Sequence, residues 1–464
     1  MRAQGATARE LPRKVAVLGF ARSGQALARA LLARAVAVSV GDAKPRSAFL
    51  AQEVEELERL GARFFFDGPP EEFLEGADWL ALSPGVPLDS PAVQAGRARG
   101  VPVLAELEIA WRIAQRETPR GNRWVAVTGT NGKSTTTAWI AAILRRAGRP
   151  VALAGNIGVP LSAFLEERKP RDFVCEVSSF QLETIETFRP RVAVLTNITP
   201  DHLDRYRDLG EYAAAKKRVF ANQQAGDFGV WNADDPASPP IQTRARLVPF
   251  SRRALPAGGV GVENGWLVSA VSAGARRILP REDVALPGAH NLENALAAAA
   301  AAECLETPEE AIREGLARFE GLPHRSQLVA QADGVSWVND SKGTNVDATK
   351  KSLEGHARGS VILILGGRDK HGDFSALADE VARAARLVLT IGEAAGTIER
   401  ALPRGVAVER AETMERAVAA AAAAARAGDT VLLSPACASF DQYGNFEERG
   451  DHFARLARDV KRKT

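Results

Sequence analysis

The stretch VAVTGTNGKSTTTAW, residues 125–139, decides the fold. An apolar, β-branched run reaches Thr128, a glycine-rich turn follows, and the residues from Lys133 read as a helix closed by Arg145, Arg146 and Gly148. Strand, glycine turn and helix in that order form the unit of a parallel sheet with helical crossovers, whose ligands gather beyond the carboxyl ends of the strands. Glycines let backbone N–H groups close around phosphate oxygens, and the helix start adds positive potential. Lys133 then meets the outer phosphates, and the Ser134 hydroxyl suits Mg²⁺. The segment Gly129, Thr130, Asn131, Gly132, Lys133, Ser134, Thr135 is therefore expected to hold a nucleoside triphosphate. One departure is visible: the usual GxxxxGKS spacing puts glycine at 127, where this chain has Val127.

The same phrase recurs at VAVLGFARSG (15–24) and VILILGGRDK (361–370). Three repeats predict three α/β domains: a Rossmann-like N-terminal domain over 1–105, a central P-loop mononucleotide-binding domain with a parallel sheet over 106–322, and a C-terminal Rossmann-like domain over 323–464. In the first, helices are expected from Gln25 to Ala33 and around Glu53 to Leu60. In the second, PVALAGNIG, DFVCEVSSF and RVAVLTNI read as further strands and NALAAAAAAECL as a helix. GLPHRSQ, near residue 322, has the punctuation of a linker.

With 464 residues, 45% hydrophobic and 25% charged, the chain has apolar material for two or three cores. A net charge of +3 without a run of five basic residues gives no footprint for nucleic acid or an anionic membrane. The N-terminus lacks the apolar core of a signal peptide, and charges interrupt the alanine tracts well short of a bilayer. Cys175, Cys304 and Cys437 form no CxxC pair, which argues against disulfides or structural zinc. The reading is of a cytoplasmic monomer with no nucleic-acid or membrane partner.

Several polar residues end apolar runs and so face the crevice of the phosphate loop: Asn156, Glu176 and, after AVLTNITPDH, His202. A carboxylate beside a polyphosphate needs an intervening divalent cation, which makes Glu176 and Ser134 natural magnesium ligands. The plainer readings are a strand-end salt bridge for Glu176 and a helix cap for His202. Lys216 and Lys217 lie on a helix, where paired lysines usually form a solvated face, and an ammonium ligates no metal. Asn291 and Asn294, one turn apart, read equally as caps or as amides aimed at a base or phosphate. In the third domain Asp340, Lys342 and Thr344 of NDSKGTN, Lys370 of GGRDK, and SPACASFDQYGNF (434–446) also end apolar runs. In the first, Gly19-Phe20-Ala21-Arg22-Ser23-Gly24 is an imperfect GxGxxG followed by Asp42. Ala21 hinders a dinucleotide pyrophosphate, so a mononucleotide sugar on Arg22, Ser23 and the helix start is at least as compatible. Ser83-Pro84-Gly85 is an ordinary turn or another wall of that site.

Taken in chain order, GTNGKST, EVSSFQLE, NITPDHLDRY with AAAK, GAHNLENALAA, GLPHR, NDSKGTN, GGRDK and SPACASFDQYGNFEERG resemble the Mur ligases of bacterial cell-wall synthesis, from the first domain to the last. The last segment, with NDSKGTN, is similar to the members that add D-glutamate to UDP-N-acetylmuramoyl-L-alanine. The resemblance implies that the first domain holds the UDP substrate through Arg22, Ser23, Gly24, Asp42, Ser83, Pro84 and Gly85, with Asn156 from the middle domain. It implies ATP on residues 129–135 and on Asn291, Asn294, His324, Arg325 and Asp340. Two Mg²⁺ ions would sit on Ser134, Glu176, His202 and Lys216, with Lys216 carbamylated and so converted to an anionic oxygen ligand. Lys133, Glu176, His202 and Lys216 would be catalytic. D-glutamate would meet Lys342, Thr344, Lys370, Ser439 and Phe446. Ala43 and Lys44 depart from the hydroxyl and arginine groups other members carry after the aspartate. The implied reaction is ATP-dependent amide ligation through an acyl phosphate and a tetrahedral intermediate, with the last domain closing about GLPHR. The competing readings are another amino-acid ligase of the Mur/folylpolyglutamate superfamily and a P-loop phosphotransferase, which would need neither the first domain nor the lysine-bearing third.

Overall fold

The computed structural model describes residues 11–460 apart from 69–70, 120, 203–204, 273 and 370–371. It divides into two compact units, 1–320 and 321–464. The first unit contains two separate sheets and the second contains one.

The N-terminal sheet comprises β1 (Lys14–Leu18), β2 (Ala37–Gly41), β3 (Arg63–Phe65), β4 (Trp79–Leu82) and β5 (Val103–Ala105), all parallel, in the order β3-β2-β1-β4-β5. The order reverses between β1 and β4, so the crevice at their carboxyl ends is the expected ligand position of a doubly wound sheet. The two helices anticipated from sequence lie at Arg22–Leu32 and Ala51–Arg59, each beginning a few residues earlier than the apolar pattern indicates.

The second sheet has nine strands: β6 (Arg123–Thr128), β7 (Val151–Gly155), β8 (Asp172–Glu176), β9 (Val192–Leu195), β10 (Phe228–Asn232), β11 (Arg246–Ser251), β12 (Val260–Glu263), β13 (Trp266–Ser269) and β14 (Arg276–Pro280). Their order is β14-β13-β12-β11-β10-β9-β6-β8-β7. Pairing is parallel from β7 to β12, while β12, β13 and β14 form an antiparallel edge. The phosphate-loop strand β6 is thus central, flanked by β8 and β9. Its Trp124 stacks on Phe173 of β8 with ring centroids 4.2 Å apart. The helix Lys133–Arg146 is buried on most of its circumference and packs against the alanine-rich helix Ala289–Cys304. Alanine suits that contact because it strongly favours helix while its small side chain lets two helix backbones approach. Trp139 adds an anchor, its indole N–H donating to Gly315 O at 2.9 Å.

The C-terminal unit carries β15 (Gln327–Ala332), β16 (Val335–Asn339), β17 (Val361–Gly366), β18 (Ala385–Ile391), β19 (Val408–Glu412) and β20 (Thr430–Leu433), in the order β15-β16-β20-β17-β18-β19. Only β15 runs antiparallel to its neighbour. Asp340, Ser434 and Gly367 therefore leave β16, β20 and β17 at the same edge of the sheet.

Two strand pairs are joined by two-residue turns with φ > 0 at both positions: Asn264-Gly265 (φ 50° and 79°) and Asp333-Gly334 (φ 50° and 74°). Asn-Gly and Asp-Gly are the dipeptides that accept this conformation, whose twist matches that of the flanking strands.

Candidate active site

The phosphate loop is shaped by its two glycines. Gly129 has φ 144° and Gly132 φ 78°. A Cβ on Gly129 would lie 2.0 Å from Thr196 Oγ1, and one on Gly132 would lie 2.1 Å from Asn294 Oδ1. Both positions thus require glycine for conformation and for space. Thr196, at the end of β9, supports the loop from below, its hydroxyl donating to Asn131 O at 2.6 Å. Asn131 N–H donates to Asn197 Oδ1 at 3.0 Å. The helix that follows starts at Lys133 without a side-chain cap, and Lys133 Nζ donates back to Thr130 O at 2.8 Å. Thr135 lies one turn into the helix, partly buried. A helix start facing a backbone cradle is a ready anion site.

Beneath the loop, Ser134 Oγ donates to Glu176 Oε2 at 2.5 Å, and Asn156 Nδ2 donates to Glu176 Oε1 at 3.0 Å. The three residues come from the helix start, the end of β8 and the residue after β7, so adjacent parallel strands bring them together. Ser134 and Glu176 are buried, Asn156 is exposed. Lys216 enters from the helix Leu209–Lys217. Its Nζ donates to Gly129 O at 2.8 Å and lies 4.3 Å from the Tyr212 ring centroid. Burial, reinforced by the charge of Lys133 and opposed by Asp201 and Glu176, lowers its amine from 10.5 to about 6. The plain reading of Lys216 as half of a solvated lysine pair is thereby excluded: the side chain is 2% exposed.

His202 has φ 53° on the loop after β9. It is exposed, lies 3.7 Å from Asp201 and packs edge-on against Phe180 at 5.0 Å. It caps no helix. Among the described residues no group of three or more His, Cys, Asp or Glu side chains is placed to hold a metal ion. The donors gathered at the loop are instead one hydroxyl and one carboxylate, Ser134 and Glu176. That set fits Mg²⁺, which keeps most of its waters and takes one or two protein oxygens beside substrate phosphates.

Asn291 and Asn294 cap nothing either, since the helix begins at Ala289 after Gly288. Asn294 Oδ1 accepts from Thr136 Oγ1 at 3.2 Å, and its amide reaches Asn291 Oδ1 at 3.4 Å. Asn291 Nδ2 donates to Pro287 O at 2.8 Å. Asn294 is therefore the back wall of the Gly132 turn.

In the N-terminal sheet, Asp42 accepts from Phe20 N–H at 2.7 Å and Lys44 N–H at 2.9 Å, locking the turn after β1 against that after β2. Ser83 is buried and donates to Gly19 O at 2.8 Å. Gly24 is buried where a Cβ would lie 1.9 Å from Gly19 O. Arg22 and Ser23 open the helix Arg22–Leu32, which has no side-chain cap; Arg22 and Gly85 are exposed, and Pro84 lies between Gly85 and Ser83. These residues form one rim at the β1/β4 reversal.

In the C-terminal unit His324 is buried, its Nδ1 3.1 Å from Asn339 Nδ2. Asp340 accepts from Ser434 Oγ at 2.7 Å and Ser326 N–H at 3.2 Å. Burial raises its carboxyl to about 6, against the pull of those hydrogen bonds and of Arg325. Lys342 Nζ sits 3.9 Å from the Phe446 ring centroid, and Thr344 N–H donates to Lys342 O at 2.8 Å. Ser439 is buried in the loop after β20. Lys370 lies outside the described residues.

Four side chains at these places were not singled out from the sequence. Thr136, Thr196 and Tyr212 build the phosphate loop from behind; of these Tyr212 was legible as the residue four before Lys216 on one helix face. The fourth is Arg449, 1% exposed, which donates to Ser341 Oγ at 3.0 Å, Ser341 O at 2.9 Å, Cys437 O at 3.1 Å and Ala438 O at 3.2 Å. Burial lowers its guanidinium to about 10. Its spacing with Phe453 and Ala457 on the helix Phe446–Val460 marks it as core-facing.

Three family models match the chain in order: a MurD-like Mur ligase N-terminal domain over residues 13–105, a Mur ligase middle domain over 127–302 and a Mur ligase glutamate ligase domain over 324–437. The chain is 44% identical over 458 residues to UDP-N-acetylmuramoylalanine–D-glutamate ligase of Pelotomaculum thermopropionicum, covering 97% of this chain and 98% of that protein. It is 44% identical over 461 residues to the ligase of the same name from Salinibacter ruber, covering 96% and 97%. Among solved structures, UDP-N-acetylmuramate–alanine ligase from Thermotoga maritima superposes with a TM-score of 0.59 at 18% identity, over 97% of this chain and 100% of that one, which supports the fold. With its phosphate loop, its three sheets and relatives of this similarity along its length, the chain belongs to the Mur ligase family.

Proposed function

We propose that this protein is an ATP-dependent ligase of peptidoglycan precursor synthesis that joins D-glutamate to UDP-N-acetylmuramoyl-L-alanine. The observation that carries the reading is the 44% identity, end to end, with two ligases named for that reaction.

The chemistry asks for three things, and residues in each sheet suit them. A carboxylate is a poor acylating agent, so the γ-phosphoryl group of ATP goes onto the L-alanyl carboxylate. The amine of D-glutamate then attacks the acyl phosphate through a tetrahedral intermediate, and phosphate leaves. ATP suits the loop 129–135, where glycine backbones and an uncapped helix start meet an anion and Lys133 adds charge. Ser134 and Glu176 suit one Mg²⁺, which would neutralise charge on the transferred group. His202 and Lys216 are assigned to a second. Lys216, held neutral by burial, presents the free amine that adds CO₂ with loss of a proton, and the resulting carbamate is an oxygen ligand. Asn291, Asn294, His324, Arg325 and Asp340 are assigned to the nucleotide. Arg22, Ser23, Gly24, Asp42, Ser83, Pro84, Gly85 and Asn156 are assigned to the UDP substrate, and Lys342, Thr344, Lys370, Ser439 and Phe446 to D-glutamate. The three domains are taken as 1–105, 106–322 and 323–464. No helix among the described residues is long and apolar enough to cross a membrane; we assign the protein to the cytoplasm as a monomer.

One assay tests the reading. The protein is incubated with ATP, Mg²⁺, UDP-N-acetylmuramoyl-L-alanine and single amino acids, and phosphate release is measured. Release that needs both the UDP substrate and D-glutamate is expected; release indifferent to either sinks the assignment.

A further inference from the structure

The loop Ser434–Phe446 is tied down at a point that the ligase reaction does not explain. Tyr443 Oη lies 2.9 Å from His452 Nδ1, and His452 Nε2 lies 3.3 Å from Glu415 Oε1. The rings of Tyr443 and His452 pack edge-on, with centroids 5.8 Å apart. The three residues come from the loop, the helix Phe446–Val460 and the helix Met414–Ala424. For the phenol to donate to Nδ1, the imidazole must be neutral with its proton on Nε2, the nitrogen nearer Glu415. His452 is mostly buried, with a side chain 17% exposed, whereas Glu415 is 60% exposed and so adds little through charge alone. The firm link is Tyr443 to His452.

What that link holds is a tight turn. Tyr443 N–H donates to Ser439 O at 2.9 Å and Gln442 N–H to the same oxygen at 3.2 Å. Gln442 Nε2 donates to Glu412 O at 2.8 Å, and Gly444 N–H to Glu448 Oε2 at 2.9 Å. Ser439 and Phe446 stand at the two ends of this turn.

We propose that Tyr443 and His452 are positioning residues for the amino-acid substrate: their hydrogen bond fixes the turn that sets Ser439. This rests on the reading that Ser439 meets D-glutamate. Only neutral His452 can accept the phenol proton at Nδ1. Burial and Arg455 push the imidazole below its ordinary value, against Glu415. Around Tyr443 the charged groups are Glu415, Asp441, Arg449 and Arg455, and the phenol is raised to about 12, so it keeps its proton throughout.

The test uses the full chain and its complete set of substrates. Tyr443→Phe removes one hydroxyl, and His452→Asn keeps an amide oxygen near the Nδ1 position where His452→Ala keeps none. For Tyr443→Phe and His452→Ala the KM for D-glutamate is expected to rise about three- to tenfold, the loss of one hydrogen bond, with kcat and the KM for ATP unchanged. His452→Asn should recover most of that loss. Wild-type KM for D-glutamate should rise as pH falls through the His452 transition, while Tyr443→Phe stays flat there. Amide hydrogen exchange over 439–445 should speed up in Tyr443→Phe. Unchanged exchange overturns the relay, and so does a parallel rise in the KM values for ATP and D-glutamate, which reports general loosening. If wild-type phosphate release needs no D-glutamate, the functional reading fails and with it the substrate role of the turn; accelerated exchange would then support only the Tyr443–His452 link.

Discussion

Lys216 Nζ donates a 2.8 Å hydrogen bond to the carbonyl oxygen of Gly129, 87 residues earlier in the chain. The amine is thereby fixed at the base of the phosphate loop, in surroundings that keep it largely uncharged at neutral pH. Methionine fills a similar volume and needs no solvation, so Lys216→Met should fold with a melting temperature within a few degrees of wild type. It should lose activity by about a hundredfold or more, the scale of removing one preorganised charge from a transfer site. Added bicarbonate should not restore it, whereas wild type depleted of CO₂ should recover on bicarbonate addition. Phosphate release measured with and without bicarbonate decides; an active Lys216→Met protein removes the carbamate assignment.

Ser134 Oγ donates to Glu176 Oε2, and a cation bound at this pair would take the place of that hydrogen bond. Ser134→Ala deletes one of the two proposed ligands but leaves Glu176 its bond from Asn156. The Mg²⁺ concentration for half-maximal phosphate release should rise about tenfold, the loss expected for one charged contact, and excess Mg²⁺ should recover the rate. Glu176→Gln should not be recoverable in this way. A Ser134→Ala protein with the wild-type Mg²⁺ requirement would take Ser134 out of the metal site.

The phosphate loop was legible because everything that identifies it is local: an apolar strand, two glycines and the Lys133-Ser134 pair lie within ten residues. Glu176 and Asn156 followed from one further rule, that parallel strands end on the same side. What supports the loop was not legible, since Thr196 and Asn294 arrive from 64 and 162 positions beyond Gly132 and act through packing and amide contacts that no spacing records. Lys216 was harder still, because its depressed amine arises from burial beside Tyr212 and from the charge of Lys133, and the pattern Lys216-Lys217 reads as a wet surface. The antiparallel edge β12–β14 carries a signal of its own: VENGW contains an Asn-Gly turn between alternating apolar residues, the mark of a hairpin and not of a strand-loop-helix unit. Pro249 in β11 worked the other way, since proline inside a run argues against a strand.

Gly132→Ala tests how closely Asn294 backs the loop. The added Cβ meets Asn294 Oδ1 at 2.1 Å, and φ 78° costs a non-glycine residue about 1–2 kcal/mol even in open space. Nucleotide affinity, measured by calorimetry, should fall at least tenfold in Gly132→Ala. The double variant Gly132→Ala/Asn294→Ala relieves the collision while leaving the backbone strain, and should regain part of the affinity. If the double variant binds no better than Gly132→Ala, the obstruction is conformational alone and Asn294 is not the wall that shapes the turn.

Asp340 makes the C-terminal unit sensitive to pH in a direction opposite to that of a salt-bridged carboxylate. Burial raises its carboxyl from 3.8 to about 6, so the folded state holds the proton more tightly than the unfolded chain does. The stabilisation it contributes is complete below the unfolded value and is lost as pH rises through the folded one, a window of roughly pH 4 to 6 and at most ~3 kcal/mol. Asp340→Asn is neutral throughout and keeps an oxygen to accept from Ser434 Oγ. Opening free energies of the β16 amides, from hydrogen exchange of the full chain without ligands, should match wild type near pH 4 and exceed it near pH 8. A variant weaker at both pH values would mean that the bonds from Ser434 and Ser326 outweigh the cost of burying the charge, and that Asp340 is ionised in the folded protein well below pH 6.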